Sequence, residues 1–380
     1  MRKYTDKNGN TVYAHRHPAE LNIHIDFKHA KGCVVYLARG AVSLGCSRVL
    51  VYGDNAALFI GDSELGNTTL ILDENSCAYI GKRSHLNPYA RPQLIRTVVN
   101  QVFFMGDDNL ISENLEISTS DQHPLYDAES LEQVNKNQSI YIGDHVWVGR
   151  NCTLLKNSRM ASGSVLGIQS VLAGKYVPVN TVCAGVPARP LKEHRFLKNI
   201  SIFNCPQAFI DAQATLMPDD PAIKQGIFEH DSSVVIRPCD IDYTLKSLKS
   251  ASEKIAFLYD TFYIKAEHNR FAWNEEEAYA TDGRHIPYQD SFSQHISQEG
   301  VKLQRLTSFP GQIIYDPKGF ELWALYNRRY SIFLKYWYCV FMRTISRGRR
   351  KLKYKEKKAH YRYLLSRIKA MKMTIDAISR

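Results

Sequence analysis

The chain has 380 residues, 44% apolar and 23% charged, enough for one or two buried cores and too balanced for a disordered or fibrous protein. Its formal net charge is +11, but the basicity is local. Between Arg328 and Arg380, 17 Lys and Arg face only Glu356 and Asp376, a balance of +15 that leaves −4 for everything before it. Eight scattered cysteines without a CxxC pair argue for a reducing compartment and against a disulfide framework.

The first residues, MRKYTDKNGN, hold no apolar stretch of the kind a secretory signal needs. Residues 1–32 are polar and rich in histidine, and read as an N-terminal cap or a short strand leading in. From Cys33 to Leu86, short aliphatic pieces (VVYL, LFIGD, LILDEN, AYIGK) alternate with turn residues every eight to ten positions. That rhythm predicts long, loose coils of a stacked β structure. Asn87 to Gln101 contains Pro88 and Pro92 and reads as a loop. The coils resume at Phe103-Phe104-Met105-Gly106 and continue through Ile111 and Ile117. Residues 118–139, STSDQHPLYDAESLEQVNKNQS, interrupt them with a polar insertion, long for a structureless loop and therefore expected to carry function.

The most regular stretch is IYIGDHVWVGRNCTLLKNSRMASGSVLGIQSVLA, from Ile140 to Ala173. Ile142, Val148, Leu154, Met160, Leu166 and Leu172 recur every six residues, mostly followed by a small residue. Six matches neither the helical period of 3.6 nor the strand period of 2. It fits a coil that turns a corner every six residues and stacks on itself, with the periodic aliphatics pointing inward. The coils should end near Val182–Pro190, where Pro187 and Pro190 stop the pattern. The predicted β-helix therefore covers 33–192.

Residues 193–319 are mixed and carry no catalytic motif. Within them Tyr243 to Glu267 has helical spacing, with Leu245, Leu248, Ile255, Leu258 and Phe262 on one face. From Phe320 a helix is predicted, since Trp323, Tyr326, Tyr330, Phe333, Trp337 and Phe341 step by three or four. The apolar run Tyr330–Met342 includes Lys335 and is too short to span a bilayer. The fold class is thus mainly β, a parallel β-helix followed by a mostly α-helical C-terminal region.

Four features taken together resemble the hexapeptide-repeat acetyltransferases: the six-residue ladder, His123-Pro124 in the insertion, Trp147 24 residues later, and the terminal AGVPARPLK. STSDQHPLYD is most similar to the branch that acetylates sialic acids and capsular polysaccharides. The resemblance spans 33–192. It implies a left-handed β-helix, a homotrimer with sites shared between subunits, acetyl-CoA as co-substrate, and no metal. It also places 118–139 at the active site, with His123 as the catalytic base and Trp147 shaping the thioester site.

The chemistry suits those residue types. Moving an acetyl group from a thioester to a sugar hydroxyl needs a base that titrates near neutrality, which is histidine's natural range. The tetrahedral intermediate needs a donor already aimed at its oxygen, expected from a backbone N–H or the indole N–H near Trp147. Coenzyme A brings phosphates, which cations and close backbone receive. By residue match these are Arg150, Ile168, Ala173, Lys175, Arg189 and Lys192, with Ile168 and Ala173 on the pantetheine arm. Asp107, Asn109, Asp121 and Tyr126 are the candidates for holding a glycan.

The reading is an acetyl-CoA-dependent O-acetyltransferase of a bacterial capsular or cell-surface polysaccharide. It would be cytoplasmic or peripheral at the inner face of the membrane. The alternatives are a small-molecule acetyltransferase acting on free sugars, amino acids or antibiotics, and a non-catalytic β-helix scaffold in a capsule assembly complex. A zinc site built from His85, His123 and His145 is disfavoured, because those histidines lack the spacing such a site shows. The basic aromatic tail, 320–380, would dock on anionic headgroups or on capsule-synthesis machinery, with nucleic acid the weakest option.

Overall fold

The computed structural model describes residues 1–87, 92–201, 205–224, 226, 228–229, 235–265, 269–298 and 302–305. Three sheets of 10, 8 and 7 strands, parallel apart from the terminal hairpins, run side by side along one axis. They are called here sheets A, C and B in the order the chain visits them. From Ile140–Ile142 in sheet A the chain passes to Trp147–Val148 in sheet C and Thr153–Leu155 in sheet B, then returns to sheet A at Arg159–Met160. Ile142 pairs with Met160, Val148 with Leu166 and Leu154 with Leu172, each eighteen residues on. Six residues per face and three faces per turn is the β-helix that the six-residue ladder predicts. All six ladder residues are buried, at 0–1% exposure.

The small residues that follow the ladder positions do not make the bend. Gly149 keeps an ordinary backbone, but a Cβ there would sit 2.6 Å from the Ile168 nitrogen of the next coil. Smallness therefore serves close stacking. The bend itself falls two residues later, where His145, Asn151, Asn157 and Gln169 take left-handed φ values of 57°, 60°, 64° and 58°. Asparagine tolerates that region better than most side chains, which is why it recurs at corners.

The earlier coils are longer, as their rhythm suggests. Tyr36 pairs with Phe59, Phe59 with Tyr79 and Tyr79 with Phe104. The added length lies partly in five-residue strands of sheet B, such as Thr68–Leu72. Gln93–Thr97 is one of these, so the stretch read as a loop from Asn87 to Gln101 contains a strand. Residues 88–91 lie outside the described residues. The sheets also begin before residue 33. Thr11–Ala14 pairs with Val34–Leu37, and Ile23–Phe27 with Ser47–Val51, so 1–32 supplies strands to the helix and is not an irregular cap. At the far end Val182–Gly185 folds back on Ala188–Lys192 as an antiparallel pair and closes sheet C.

Residues 235–298 cover the outer face of sheet A. That face carries one column of rings: Tyr13, Tyr36, Phe59, Tyr79, Phe104 and Tyr141. Ring centroids of Tyr36 and Phe59 lie 4.5 Å apart, and those of Tyr79 and Phe104 4.8 Å. Phe257, Phe262, Phe271 and Trp273 pack onto this column and form a second core, separate from the aliphatic interior. The single helical face expected from Tyr243 onward is two helices, Pro238–Ser247 and Ala251–Leu258. The break is set by Ser250, whose side chain and Glu253 form a reciprocal capping box. Leu245, Ile255, Leu258 and Phe262 are buried, and Leu248 sits half-buried in the break. The described part of 193–298 holds six short α-helices, the π-helix Tyr259–Tyr263 and much irregular chain, so the described region is helical only in part. The aromatic, basic stretch 320–380 lies outside the described residues.

A buried charge cluster fixes this cover to the A–C corner. Arg270, wholly buried, donates from Nη2 and Nε to Asp144 at 2.9 and 3.1 Å, and from Nη1 to the Phe262 carbonyl at 3.0 Å. Its Nη2 also lies 3.4 Å from Asp107. Burial and the neighbouring Asp144 raise the Asp107 carboxyl above its usual range, and the Arg270 charge opposes that rise.

Candidate active site

The polar insertion leaves the β-helix at the B–A corner. Ser118 still pairs with Leu155 in sheet B, and the chain re-enters sheet A at Ile140. The neck is closed by Gln138 N–H donating to the Thr119 carbonyl at 3.1 Å. Beyond the neck the loop is bonded to itself. Tyr126 and Gln133 form an antiparallel bridge, and Asp127 accepts from the backbone N–H of Glu129 and Ser130. Asp127 is held below the usual carboxylate range by those N–H donors.

His123 projects from this loop, exposed. Its backbone is set by Asn135, whose amide donates to the His123 carbonyl at 2.8 Å and to the Asp121 carboxylate at 3.0 Å. The Asn135 side-chain oxygen accepts from Leu125 N–H at 2.6 Å. One asparagine thus ties both sides of the HP dipeptide. Lys156, on the next corner of the scaffold, reaches up to Asp121 at 2.6 Å and to the Asn135 carbonyl at 2.7 Å. The Lys156 hydrogen bond, with Asn135, lowers the Asp121 carboxyl, so this clamp stays ionic at neutral pH. The sequence reading missed Asn135 and Lys156. Nothing in their spacing marks them, since the loop must fold before Asn135 meets His123.

Trp147 lies on sheet C, paired between Leu110 and Val165, and is 38% exposed. Its backbone N–H donates to the Ser164 carbonyl at 3.0 Å. That N–H belongs to the ladder between coils and is not available as a donor to a ligand. The indole remains the group it presents outward. The outward column of sheet C reads Val42, Glu64, His85, Leu110, Trp147, Val165 and Val182.

Of the proposed cofactor residues, Arg150, Ile168, Ala173, Lys175, Arg189 and Lys192 are all exposed. Arg150 stands 3.8 Å from Glu113 at the C–B corner. Ala173 ends a strand of sheet B, Lys175 lies in the B–A turn that follows, and Arg189 and Lys192 lie on the closing strand of sheet C. The structure therefore divides the predicted site. His123, Asp121 and Tyr126 lie on the loop at the B–A corner and Ala173 and Lys175 at the same edge two coils on, whereas Trp147, Arg150, Ile168, Arg189 and Lys192 belong to sheet C and its corner with sheet B.

Asp107 and Asn109 are not accessible, and the expectation that they hold a glycan is corrected. Asp107 is 2% exposed and accepts Lys82 N–H at 2.8 Å beside Arg270. Asn109 is fully buried, donates to the Gly106 and Gly143 carbonyls, and accepts Val146 N–H at 2.6 Å. A signal in the sequence could have shown this for Asp107. Gly-Asp recurs at Gly61-Asp62, Gly106-Asp107 and Gly143-Asp144, and each carboxylate accepts a backbone N–H of the coil before it. A residue repeated at the same place in successive coils belongs to the scaffold.

The three histidines of the zinc alternative have separate partners. His85 meets Glu64 at 2.8 Å, His145 is buried against Asp108 and the Leu197 carbonyl, and His123 is on the loop. Among the described residues no three His, Cys, Asp or Glu side chains stand together as a metal site. No described helix is long and apolar enough to cross a membrane.

No protein-family model matches the chain. It is 31% identical over 115 residues to a polysialic acid O-acetyltransferase of Neisseria meningitidis, covering 29% of this chain and 50% of that one. It is 31% identical over 98 residues to a putative lipopolysaccharide biosynthesis O-acetyl transferase, WbbJ, of Escherichia coli K12, covering 24% and 50%. The chain thus spans about half the length of these curated relatives. Among solved structures, the polysialic acid O-acetyltransferase OatWY aligns at 23% identity and a TM-score of 0.44, over 57% of this chain and 98% of that one. Over these stretches the chain is similar to proteins named as O-acetyltransferases.

Proposed function

We propose that the chain transfers acetyl from acetyl-CoA to a hydroxyl of a bacterial capsular or cell-surface polysaccharide. The observation that carries this reading is His123 on a braced loop, clamped by Asn135, Asp121 and Lys156 at a corner of a rigid β-helix. A base held that way loses little freedom when an acceptor arrives. The relatives named as polysialic acid and lipopolysaccharide O-acetyltransferases supply the acceptor class.

In the proposed reaction the His123 imidazole takes the proton of the sugar hydroxyl as its oxygen attacks the thioester carbonyl. The tetrahedral intermediate then collapses, the C–S bond breaks, and the CoA sulfur takes the proton from His123. The products are the sugar ester and free CoA thiol. The indole N–H of Trp147 is the donor offered to the carbonyl oxygen. Arg150, Lys175, Arg189 and Lys192 are exposed cations that suit the CoA phosphates, and Ile168 and Ala173 offer an apolar edge to the pantetheine arm.

The division of these groups between two edges of the prism supports a site completed by a second copy, in a homotrimer of left-handed β-helices. The loop tip exposes Leu125, Tyr126, Leu131 and Val134, a patch suited to burial against another subunit. Residues 33–192 would be the transferase domain with 118–139 as its active-site loop. Within 193–319 the described residues between 235 and 298 pack on sheet A, and 320–380 would be a basic tail docking on the inner membrane surface or on the capsule machinery.

The test is free thiol released from acetyl-CoA by purified protein with capsular polymers and free sugars, beside His123→Ala. Release that depends on polymer and disappears in the variant supports both reaction and base. Release with free sugars alone favours a small-molecule acceptor. Neither release nor CoA binding would sink the transferase reading in favour of a scaffold.

A further inference from the structure

Sheet A carries a ring at its outward column in coil after coil until Arg159, which pairs with Tyr141 on one side and Tyr176 on the other. This guanidinium is only 8% exposed. It lies over the Tyr141 ring at 4.8 Å and near Tyr279 at 5.9 Å. Nε donates to the Ala278 carbonyl at 3.3 Å, and Nη1 to the carbonyls of Ser158, at 3.1 Å, and Ser139. Nη2 has no acceptor, and no carboxylate stands within ion-pair distance, among the described residues. Asp242, on the same wall, lends the cation some of its charge from beyond ion-pair distance but is itself engaged by Ser139, Tyr141 and Lys246.

A buried cation without a counter-ion is unfavourable unless something else supplies negative charge. Here the guanidinium borders an open cleft of about 570 Å³, between the B–A corner and helix Pro238–Ser247. The other walls include Gln138, Asn157, Tyr243, Lys246 and Tyr279. Half-buried Tyr279 sets its ring beside the cation, and exposed Tyr243 offers a second ring on the wall of the cleft. Rings beside amides and a fixed guanidinium are the parts that receive a sugar bearing a carboxylate: the ring stacks on the apolar face, and the fork takes the oxygen.

We propose that this cleft is a second binding subsite, taking a carboxylate-bearing sugar residue of the acceptor chain through Nη2 of Arg159. The inference rests on the polysaccharide reading above and adds the place where the chain is held away from the reacting hydroxyl. Gln138 is both a wall of the cleft and the closing residue of the His123 loop neck, and Arg159 holds the Ser139 carbonyl at the same neck. A chain seated in the cleft therefore touches the root of the segment that carries the base. Such a subsite would favour polymers over monomers, because the second contact becomes intramolecular once the first is made.

The experiment is calorimetric titration of the full chain, without acetyl-CoA, with sialic acid oligomers and with the same oligomers amidated at their carboxyl groups. Amidation is expected to weaken binding about tenfold, the scale of one charge-assisted hydrogen bond. Tyr243→Ala, at an exposed position that leaves the fold alone, is expected to weaken binding of the acidic oligomers similarly. Arg159→Gln should abolish the preference for the acidic form, with its melting curve reporting whether the fold survives. Lys249→Ala, an equal loss of charge outside this cleft, should change nothing. Absence of binding, or affinities indifferent to amidation and to Tyr243→Ala, overturns the subsite. Binding that behaves as expected, with neither thiol release nor CoA binding in the separate assays, overturns the transferase reading and leaves the subsite standing.

Discussion

Sheets A and C are built from the same coils, yet their outward faces meet opposite ends. Sheet A presents Tyr36, Phe59, Tyr79, Phe104 and Tyr141, all at most 2% exposed under the cover of 235–298. Sheet C presents Glu64, His85, Leu110 and Trp147 on strands two residues long, none of them fully buried. The backbone geometry of a β-helix does not choose which face is covered. The outward side chains do, because a column of rings buries far more apolar area than a column of mixed polarity. The covered face is invested in stability, and the open face and the B–A loop carry the residues proposed for the reaction.

The sharpest way to break this contrast is at the loop. His123→Ala should lower acetyl transfer by about 10²–10⁴-fold, the usual contribution of a general base. Its thermal melt should match the parent, because the exposed side chain makes no part of either core. Steady-state thiol release and a melting curve on the same sample check both halves. On sheet A the signs reverse. Phe104→Ala, wedged among Tyr79, Phe262 and Phe271, should destabilise by about 3–5 kcal/mol in denaturant unfolding. Trp147→Ala on sheet C should barely move that midpoint while reducing turnover.

Arg270→Met tests the lock between cover and corner. It leaves Asp107 and Asp144 buried together without their cation, and should destabilise by about 3–5 kcal/mol. A loss under about 1 kcal/mol would mean the cover is held by its rings alone. Lys156→Met should act more gently, since the Lys156–Asp121 pair is partly exposed. A fall in turnover of about two- to fivefold with an unchanged melt is expected.

The smallest effect is a pH dependence at the A–C corner. Burial alone would lower the His145 imidazole, but its hydrogen bonds to Asp108 and the Leu197 carbonyl and the nearby carboxylates outweigh it and raise the group. A raised value in the folded state means the stabilisation is complete below the ordinary imidazole range, about 6.5. It is lost as pH rises through the higher folded value. The melting temperature should therefore decline between about pH 6 and 8, and His145→Asn, which suits the left-handed φ there, should flatten that slope.

The legible part of this molecule is the part whose contacts repeat. Ile142, Val148 and Leu154 could be placed on three inward faces because each coil meets only the next, so a sequence period maps directly onto a spatial one. His123 and Trp147, the residues proposed for base and carbonyl donor, stand out as residue types in a family pattern, and the loop is visible as a break in the period. The misread residues failed for the same reason in reverse. Asp107 looked like a loop carboxylate, although Asp62 and Asp144 recur at its position in other coils and mark it as scaffold.

What the sequence by itself determined is the coil, its corners and the loop's place, since these follow from local period and turn chemistry. Only the tertiary structure decided that the described residues of 235–298 lie on sheet A, that Asn135 and Lys156 brace His123, and that Arg159 stands beside a cleft with no direct ion pair among the described residues. Each of these joins residues from 12 to more than 100 positions apart. No period links such positions, so the contact exists only once the chain has closed.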